Sequence, residues 1–307
     1  MNLALTLSRG LSRLRAMSHE VVRLDRHLDD LKMLQGKLLT RANRERPDAD
    51  LRACEFKVFS QWGEDGIIQR LIDLVPIKNR TFIEFGASDF LESNCRFLMM
   101  NDNWSGFVVD GSDRNIAAIK RSSYFWKYDL VARASFIDRE HIDSLLVESG
   151  FDSDLGILSI DIDGVDYHVL EAIKSYRPRI LITEYNSVFG GERKITVPYD
   201  ASFQRTAKHF SNLYFGASLG ALDSLATKMG YSLVATTSEG VNAFFVRNDL
   251  LPAEVVKLDF RAAYVISKFK ESRGLDGSPT YLRGHARLAV IRGMPVINVE
   301  TGETEAL

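Results

Sequence analysis

Cysteine is scarce in this chain, with only Cys54 and Cys95 in 307 residues. The two lack metal-ligand spacing, which excludes a disulfide scaffold and a zinc module and fits reduced thiols in a cytoplasmic setting. No apolar run approaches the roughly 18 residues that a membrane-spanning helix needs. The opening MNLALTLSRGLSRLRAMS meets an arginine too early for a secretory signal. That opening is free of acids and rich in Arg and Ser, so an organelle transit peptide is the alternative to the helix described below. Charge of one sign is also missing: 39 Lys and Arg balance 41 Asp and Glu, a formal net charge of −2. Such a balance gives no field for nucleic acid. Internal repeats and low-complexity tracts are absent. What is present is 45% hydrophobic residues, enough for a sizeable core in a soluble globular protein.

The N-terminal segment carries a heptad. Leu7, Leu14, Val21 and Leu28 fall on one seam position, and Met17, Leu24, Leu31 and Leu38 on the other. Gly10 and Gln35 interrupt the seam, while Arg23, Asp25, Arg26, Asp29 and Asp30 flank it. This predicts a coiled coil and self-association through residues 7–38. A single amphipathic helix packed on the main domain is the alternative. The segment 1–46 ends at RANRERPDAD, where Pro47 cannot continue a helix.

From 52 to 250 strand-like and helix-like runs alternate. RTFIEFG, WSGFVVDG, LGILSIDID and RPRILITEY read as buried strands; ESNCRFLMMND, SDRNIAAIKRS and VDYHVLEAIKS read as helices between them. Such alternation predicts an α/β fold with a mostly parallel sheet that binds its ligand beyond the C-terminal strand ends. LGALDSLATKMG is a helix ending at Gly230, and YSLVATT and NAFFVRND lie too close together for a parallel crossover, so they pair antiparallel. Residues 251–307 form an extension in which AEVVKLDFRAAYVISKFKESRG reads as helix and LAVIRGMPVINVETGE as an extended finish.

The chemistry gathers at strand ends. EFGASDF follows the first strand, where Gly86 admits close backbone approach and Glu84 and Asp89 are acceptors. Asp110 ends the next strand, placed to take the hydroxyls of a ribose. A pyrophosphate wants G-x-G-x-x-G, but Gly86 is followed by Ala87, Ser88, Asp89, Phe90 and Leu91, and Asp89 repels phosphate. A loop with an acid suits the sulfonium and amino group of S-adenosylmethionine instead.

The set FSQWGEDGII, FIEFGASDF with ESN, WSGFVVDGS, LSIDIDGVDYHVLEAI, ILITEYNS, YFGASLGAL and NAFFVRND resembles the FkbM-like family of S-adenosylmethionine-dependent methyltransferases, in the family's order, over roughly 59–249. The resemblance implies a class I Rossmann-like fold and methyl transfer to a hydroxyl of a sugar or natural product. It puts Glu84, Gly86, Ser88, Asp89, Asn94, Asp110 and Asp161 at the cofactor. Phe90 stands where the family's loop has glycine.

Asp161 and Asp163 share one side of an extended strand, and Glu184 and Asn186 share one side of the next. These four oxygen donors suit Mg²⁺ or a similar hard cation. The set resembles that of catechol-type O-methyltransferases, although Tyr185 separates the last two. Without a metal, Asp163, His168 or Glu184 would serve in catalysis, a carboxylate or the imidazole taking the proton. Asp166 fits a helix cap. Gln61, Trp62, Glu64 and Asp65 in FSQWGEDGI either cover the cofactor or form the solvent face of a helix. In the long connection after EYN, Tyr199, Phe203 and Tyr214 could stack on a sugar, while Arg193, Lys194 and His209 could meet a phosphate. Two other readings stay open: a nicotinamide-dependent oxidoreductase, disfavoured by the missing glycines, and a non-catalytic assembly module.

Overall fold

The computed structural model describes residues 2–46 and 50–307, apart from the side chains of part of the N-terminal helix. Five strands run parallel: β1 (Thr81–Phe85), β2 (Ser105–Asp110), β3 (Leu130–Ala134), β4 (Ile157–Ile160) and β5 (Ile180–Glu184). β6 (Ile195–Thr196) lies apart, and β7 (Tyr231–Thr236) and β8 (Asn242–Arg247) complete the main sheet in the order β3-β2-β1-β4-β5-β8-β7. β8 is antiparallel to both β5 and β7, so the reversed strand sits one place inside the edge. The short connection between β7 and β8 forces that pairing.

The central strands are apolar and β-branched because helices cover both faces. All four residues of β4 are buried, as are four of five in β1 and β5. β3, at the edge, alternates buried and exposed positions instead. The helix Asp113–Arg121 starts where Ser112 accepts a hydrogen bond from Asn115 N. The helix Leu219–Lys228 ends at Gly230 with φ +88°.

The N-terminal helix spans Asn2–Arg44. Its last turns rest on the sheet domain through one face. A Cβ on Gly36 would meet Phe97 and Val58 at 2.7 Å, Asp29 pairs with Arg96 at 2.9 Å, and Asn43 Nδ2 donates to Cys54 O at 2.7 Å. Leu24, Leu28, Leu31 and Leu38 fall on a different face and stay 52–70% exposed. The packed helix and the free seam therefore coexist. The side chains of Leu7, Leu14 and Val21 lie outside the described residues.

The C-terminal extension departs from expectation. Of its predicted long helix only Phe260–Ala263 is helical; Asp259 caps it, and Tyr264 leaves it with ψ 133°. Val265 and Ile266 follow without regular secondary structure, and the Val265 N–H donates to Tyr185 Oη at 3.3 Å. Beyond the helix His285–Val290, β9 (Pro295–Asn298) and β10 (Thr304–Ala306) join β6 in a three-stranded antiparallel sheet. Phe260, Ala263, Ile291 and Val296 are buried in the same cluster as Tyr185, Phe215 and Leu222. Among the described residues no helix is long and apolar enough to cross a membrane.

Candidate functional site

Strands β1, β2, β4 and β5 end along one rim, and the residues just past their ends line two adjoining cavities of about 750 and 390 Å³. The two share Gly86, Asp163, Arg205 and Glu271. Gly86 has φ +80°, and a Cβ there would lie 1.6 Å from Asp161 O. The glycine is thus required twice over, for its backbone angle and for the close approach of β1 and β4. Its N–H donates to Val109 O at 2.9 Å.

Glu84 is buried and ties the ESN loop to β1. Its carboxylate accepts from Ser93 Oγ at 2.6 Å, Asn94 N at 3.0 Å and Cys95 N at 3.3 Å. Asn94 Nδ2 in turn reaches Ser159 Oγ on β4 at 3.1 Å. Burial pushes Glu84 up to about 7 despite those donors. Ser88 N donates to Asp110 Oδ2 at 3.0 Å, while Asp110 Oδ1 takes Ser112 N and Asn115 Nδ2. Asp110 thereby locks the first loop to the second strand and keeps lone pairs for a ligand. Asp89 lines the larger cavity. Phe90 adopts φ +62°, the left-handed backbone that glycine would take, and its ring is buried against Tyr124 with centroids 5.8 Å apart, away from the cavity.

Asp161, Asp163 and Glu184 bring ligand atoms within 4.8 Å of one another. They converge by a route other than strand parity. β4 stops at Ile160, and Asp163 turns the chain with φ +55°. Asp166 closes that turn, accepting from Ile162 N at 2.8 Å and Gly164 N at 3.0 Å, and begins the helix Asp166–Ala172. Burial raises Asp166 to about 6. Asp161 and Glu184 are pushed well above the ordinary carboxylate range, by burial first and then by nearby carboxylates, chiefly Asp163 for the one and Asp161 for the other. Glu184 Oε2 is buried without a partner. Asp163 instead meets the Arg205 guanidinium at 2.5 Å. Arg205 is held over the Phe215 ring at 3.8 Å, bonds Asn212 O and approaches Glu271 at 3.4 Å.

Two expected site residues lie elsewhere. Asn186 Oδ1 accepts from Val188 N, and its amide donates to Leu213 O and Phe215 O, so it has no group free for a metal. His168 is buried, bonded through Nε2 to Val197 O at 2.8 Å and flanked by Tyr167 and Tyr199. Burial lowers its pKa, and it lines neither cavity. In the long connection Phe203 borders the smaller cavity, but Tyr214 bonds Pro295 O and Tyr199 bonds Glu140. Arg193 and Lys194 are paired with Glu305 and Glu300, and His209 with Ser211. Arg193 and Lys194 line a separate cavity of about 370 Å³ together with the acidic Glu192, Glu300 and Glu305, and none of the three basic residues borders the strand-end cavities.

FSQWGEDGI does border the site, with Gln61 and Trp62 on the larger cavity. Glu64 and Asp65 are buried rather than solvated. Asp65 Oδ2 accepts from Val58, Phe59 and Ser60 N–H groups, and Glu64 bridges Trp62 N and Asn242 Nδ2. Sequence reasoning missed Ser93, Arg205, Phe269 and Glu271. Ser93 in an irregular loop, Arg205 at the start of the four-residue helix Arg205–Lys208, and Phe269 and Glu271 in an irregular extension follow no periodicity that would single them out.

Residues 103–233 match the family described as Methyltransferase FkbM domain. No curated protein matches the chain. Similar solved structures include a SAM dependent methyltransferase from Aquifex aeolicus, 8% identical over 58% of this chain and 87% of that one, TM-score 0.34. The N-terminal domain of EvdMO1 with SAH bound is 12% identical over 68% and 94%, TM-score 0.38. An O-methyltransferase family protein from Burkholderia thailandensis is 8% identical over 70% and 71%, TM-score 0.37. The matched residues hold β2 to β5, with Asp110, Asp161 and Glu184 at their ends, so the likeness to the FkbM methyltransferase family covers the strand ends that line the site.

Proposed function

We propose that the protein moves the methyl group of S-adenosylmethionine to a hydroxyl of a sugar, glycan precursor or natural product. The observation that carries this reading is the pair of adjoining cavities at the strand ends, joined at Gly86. The smaller cavity, with Gly86, Asp110 and Ile137 on its wall, suits the adenosine half. The larger one, lined by Glu84, Asp89, Asp161 and Glu184, offers carboxylates toward a sulfonium and an amino group. Transfer requires the acceptor oxygen, the methyl carbon and sulfur held in line. The C–S bond breaks as the O–C bond forms, and the acceptor proton passes to a carboxylate. Asp161 and Glu184, each holding a proton more tightly than an ordinary carboxylate, suit that last step, and Asp163 stands beside them.

Mg²⁺ is compatible with this site. Three oxygens within 4.8 Å and the unpartnered Glu184 Oε2 form a hard-donor set, so Asp161, Asp163 and Glu184 would hold the ion. When bound it would supply Lewis acidity that lowers the acceptor hydroxyl's pKa. Arg205 already places a cation against Asp163, which favours a metal-free site as the second reading.

Self-association belongs to the same proposal. The exposed Leu24, Leu28, Leu31 and Leu38 keep heptad spacing, and a second copy of the helix is the partner that such a seam fits. Cys54 and Cys95 are buried thiols outside any disulfide, which agrees with a reducing cytoplasm. The test is calorimetric titration with S-adenosylmethionine and S-adenosylhomocysteine, repeated with Mg²⁺ and with chelator. Micromolar binding is expected, and a Mg²⁺-dependent difference would select the metal form. A folded protein that binds neither would overturn the proposal and favour the assembly module.

A further inference from the structure

The extension beyond Leu250 crosses the C-terminal rim of the sheet. Tyr264 Oη donates to Ser187 O at 2.6 Å, Tyr185 Oη donates to Val265 O at 3.2 Å, and Ser187 Oγ bonds Ser267 Oγ at 2.7 Å. Arg287 Nη1 also donates to Ser267 Oγ at 2.6 Å. These contacts fasten the strap to the end of β5. The strap then delivers Phe269 and Glu271 to the larger cavity. Opposite in sequence, Trp62 meets Phe269 with nearly parallel rings, 18° between planes and 6.1 Å between centroids. Arg287 lies 4.9 Å from the Phe269 centroid and helps hold that ring.

Neither ring is fully buried, so both keep apolar surface at a wall whose other residues are mostly polar. Trp62 Nε1 has no hydrogen-bond partner. The carboxylates Asp89, Glu92, Asp163 and Glu271 face the same space, and among the described residues Arg205 is the one basic side chain on the lining. An apolar platform beside acceptor-rich walls matches a sugar ring, whose C–H face packs on aromatics while its hydroxyls donate to carboxylates. A phosphate, sulfate or carboxylate in that position would meet like charge.

We propose that Trp62 and Phe269 form the acceptor platform, and that the acceptor presents a neutral sugar ring at the reacting end. This rests on the methyl-transfer reading above and narrows its acceptor. It also gives the C-terminal extension a task in specificity.

The test uses the full chain saturated with S-adenosylhomocysteine, applied to an array of neutral glycosides and their phosphate, sulfate and uronate counterparts. Binding confined to neutral rings is expected. Phe269→Ala should weaken it at least tenfold and leave S-adenosylhomocysteine affinity within twofold, while Phe269→Tyr restores it. Binding of anionic rings, binding of no ring, or neutral binding unchanged in Phe269→Ala would each overturn the platform. So would loss of S-adenosylhomocysteine binding in Phe269→Ala, which would make the ring a structural support. Failure of the wild type to bind S-adenosylhomocysteine would instead overturn the methyl-transfer reading itself.

Discussion

Gly86→Ala is the sharpest perturbation of the strand-end site. The new Cβ would sit 1.6 Å from Asp161 O and 2.7 Å from Asp161 C, both backbone atoms that no rotamer change can move. Bringing the nearer contact to 3.0 Å takes a separation of about 1.4 Å between the ends of β1 and β4. That opening stretches Asp161 N to Phe85 O, now 3.1 Å, and, as the end of β1 shifts toward β2, distorts Gly86 N to Val109 O, now 2.9 Å. Two weakened hydrogen bonds cost about 1 kcal/mol each. An alanine at φ +80° adds roughly 1–2 kcal/mol. The expected loss is about 3–4 kcal/mol, a fall in Tm of roughly 5–6 °C for a chain of this size. Gly150→Ala is the control: its φ is +70° with nothing within 4 Å, so it carries the angular cost alone. Thermal scans of both variants, with calorimetric titration of S-adenosylhomocysteine, separate the two contributions. Equal Tm values for the two variants, with cofactor affinity intact in Gly86→Ala, would refute the close-approach argument.

Two further outcomes follow from the buried carboxylates. Glu184→Gln removes one member of the Asp161–Glu184 pair, so it should raise Tm at pH 8 while slowing methyl transfer at least 100-fold, within the range for a lost general base; a lower Tm with turnover retained would sink the assignment. Glu84 and Asp166 have folded pKa values raised from 4.5 to about 7 and from 3.8 to about 6. Each binds its proton more tightly in the folded chain, so its contribution is present below the unfolded value and is lost as pH rises through the folded one. Denaturant titrations from pH 4.5 to 8 should therefore show stability falling by about 3 kcal/mol per group. Stability that rises across that window would contradict it.

The mostly parallel sheet, its antiparallel last strands and the acidic rim were legible because their causes are local. ILSI and ILITE can only be buried strands, Ser112 announces its helix, and five residues between β7 and β8 leave no room for a crossover. The convergence of Asp161 with Glu184 was readable from adjacent strand ends, although the turn at Asp163 replaced the parity that predicted it. His168 and Asn186 misled for one reason. Sequence places a polar residue near an edge but does not reveal that a distant backbone carbonyl, Val197 O or Leu213 O, already occupies it. The extension was least legible, since its conformation is set by hydroxyl contacts with Tyr185 and Ser187 and not by any period of its own.

The distribution of strain bears on whether the chain is an enzyme or an assembly module. Ser88, Phe90 and Asp163 are three of the six described non-glycine residues with positive φ, and all three lie on the loops that follow β1 and β4. Asp161 and Glu184 are crowded together a few residues away, each pushed well above the ordinary carboxylate range, and the Glu184 Oε2 atom there is buried without a partner. Each of these features costs stability, and none is needed to hold the sheet, whose strands pair in register without them. An assembly module would use the Leu24 to Leu38 seam, which lies on another face of the molecule and places no demand on the strand ends. Strain gathered where two cavities meet is what a site shaped for a ligand carries, and it argues for chemistry over scaffolding.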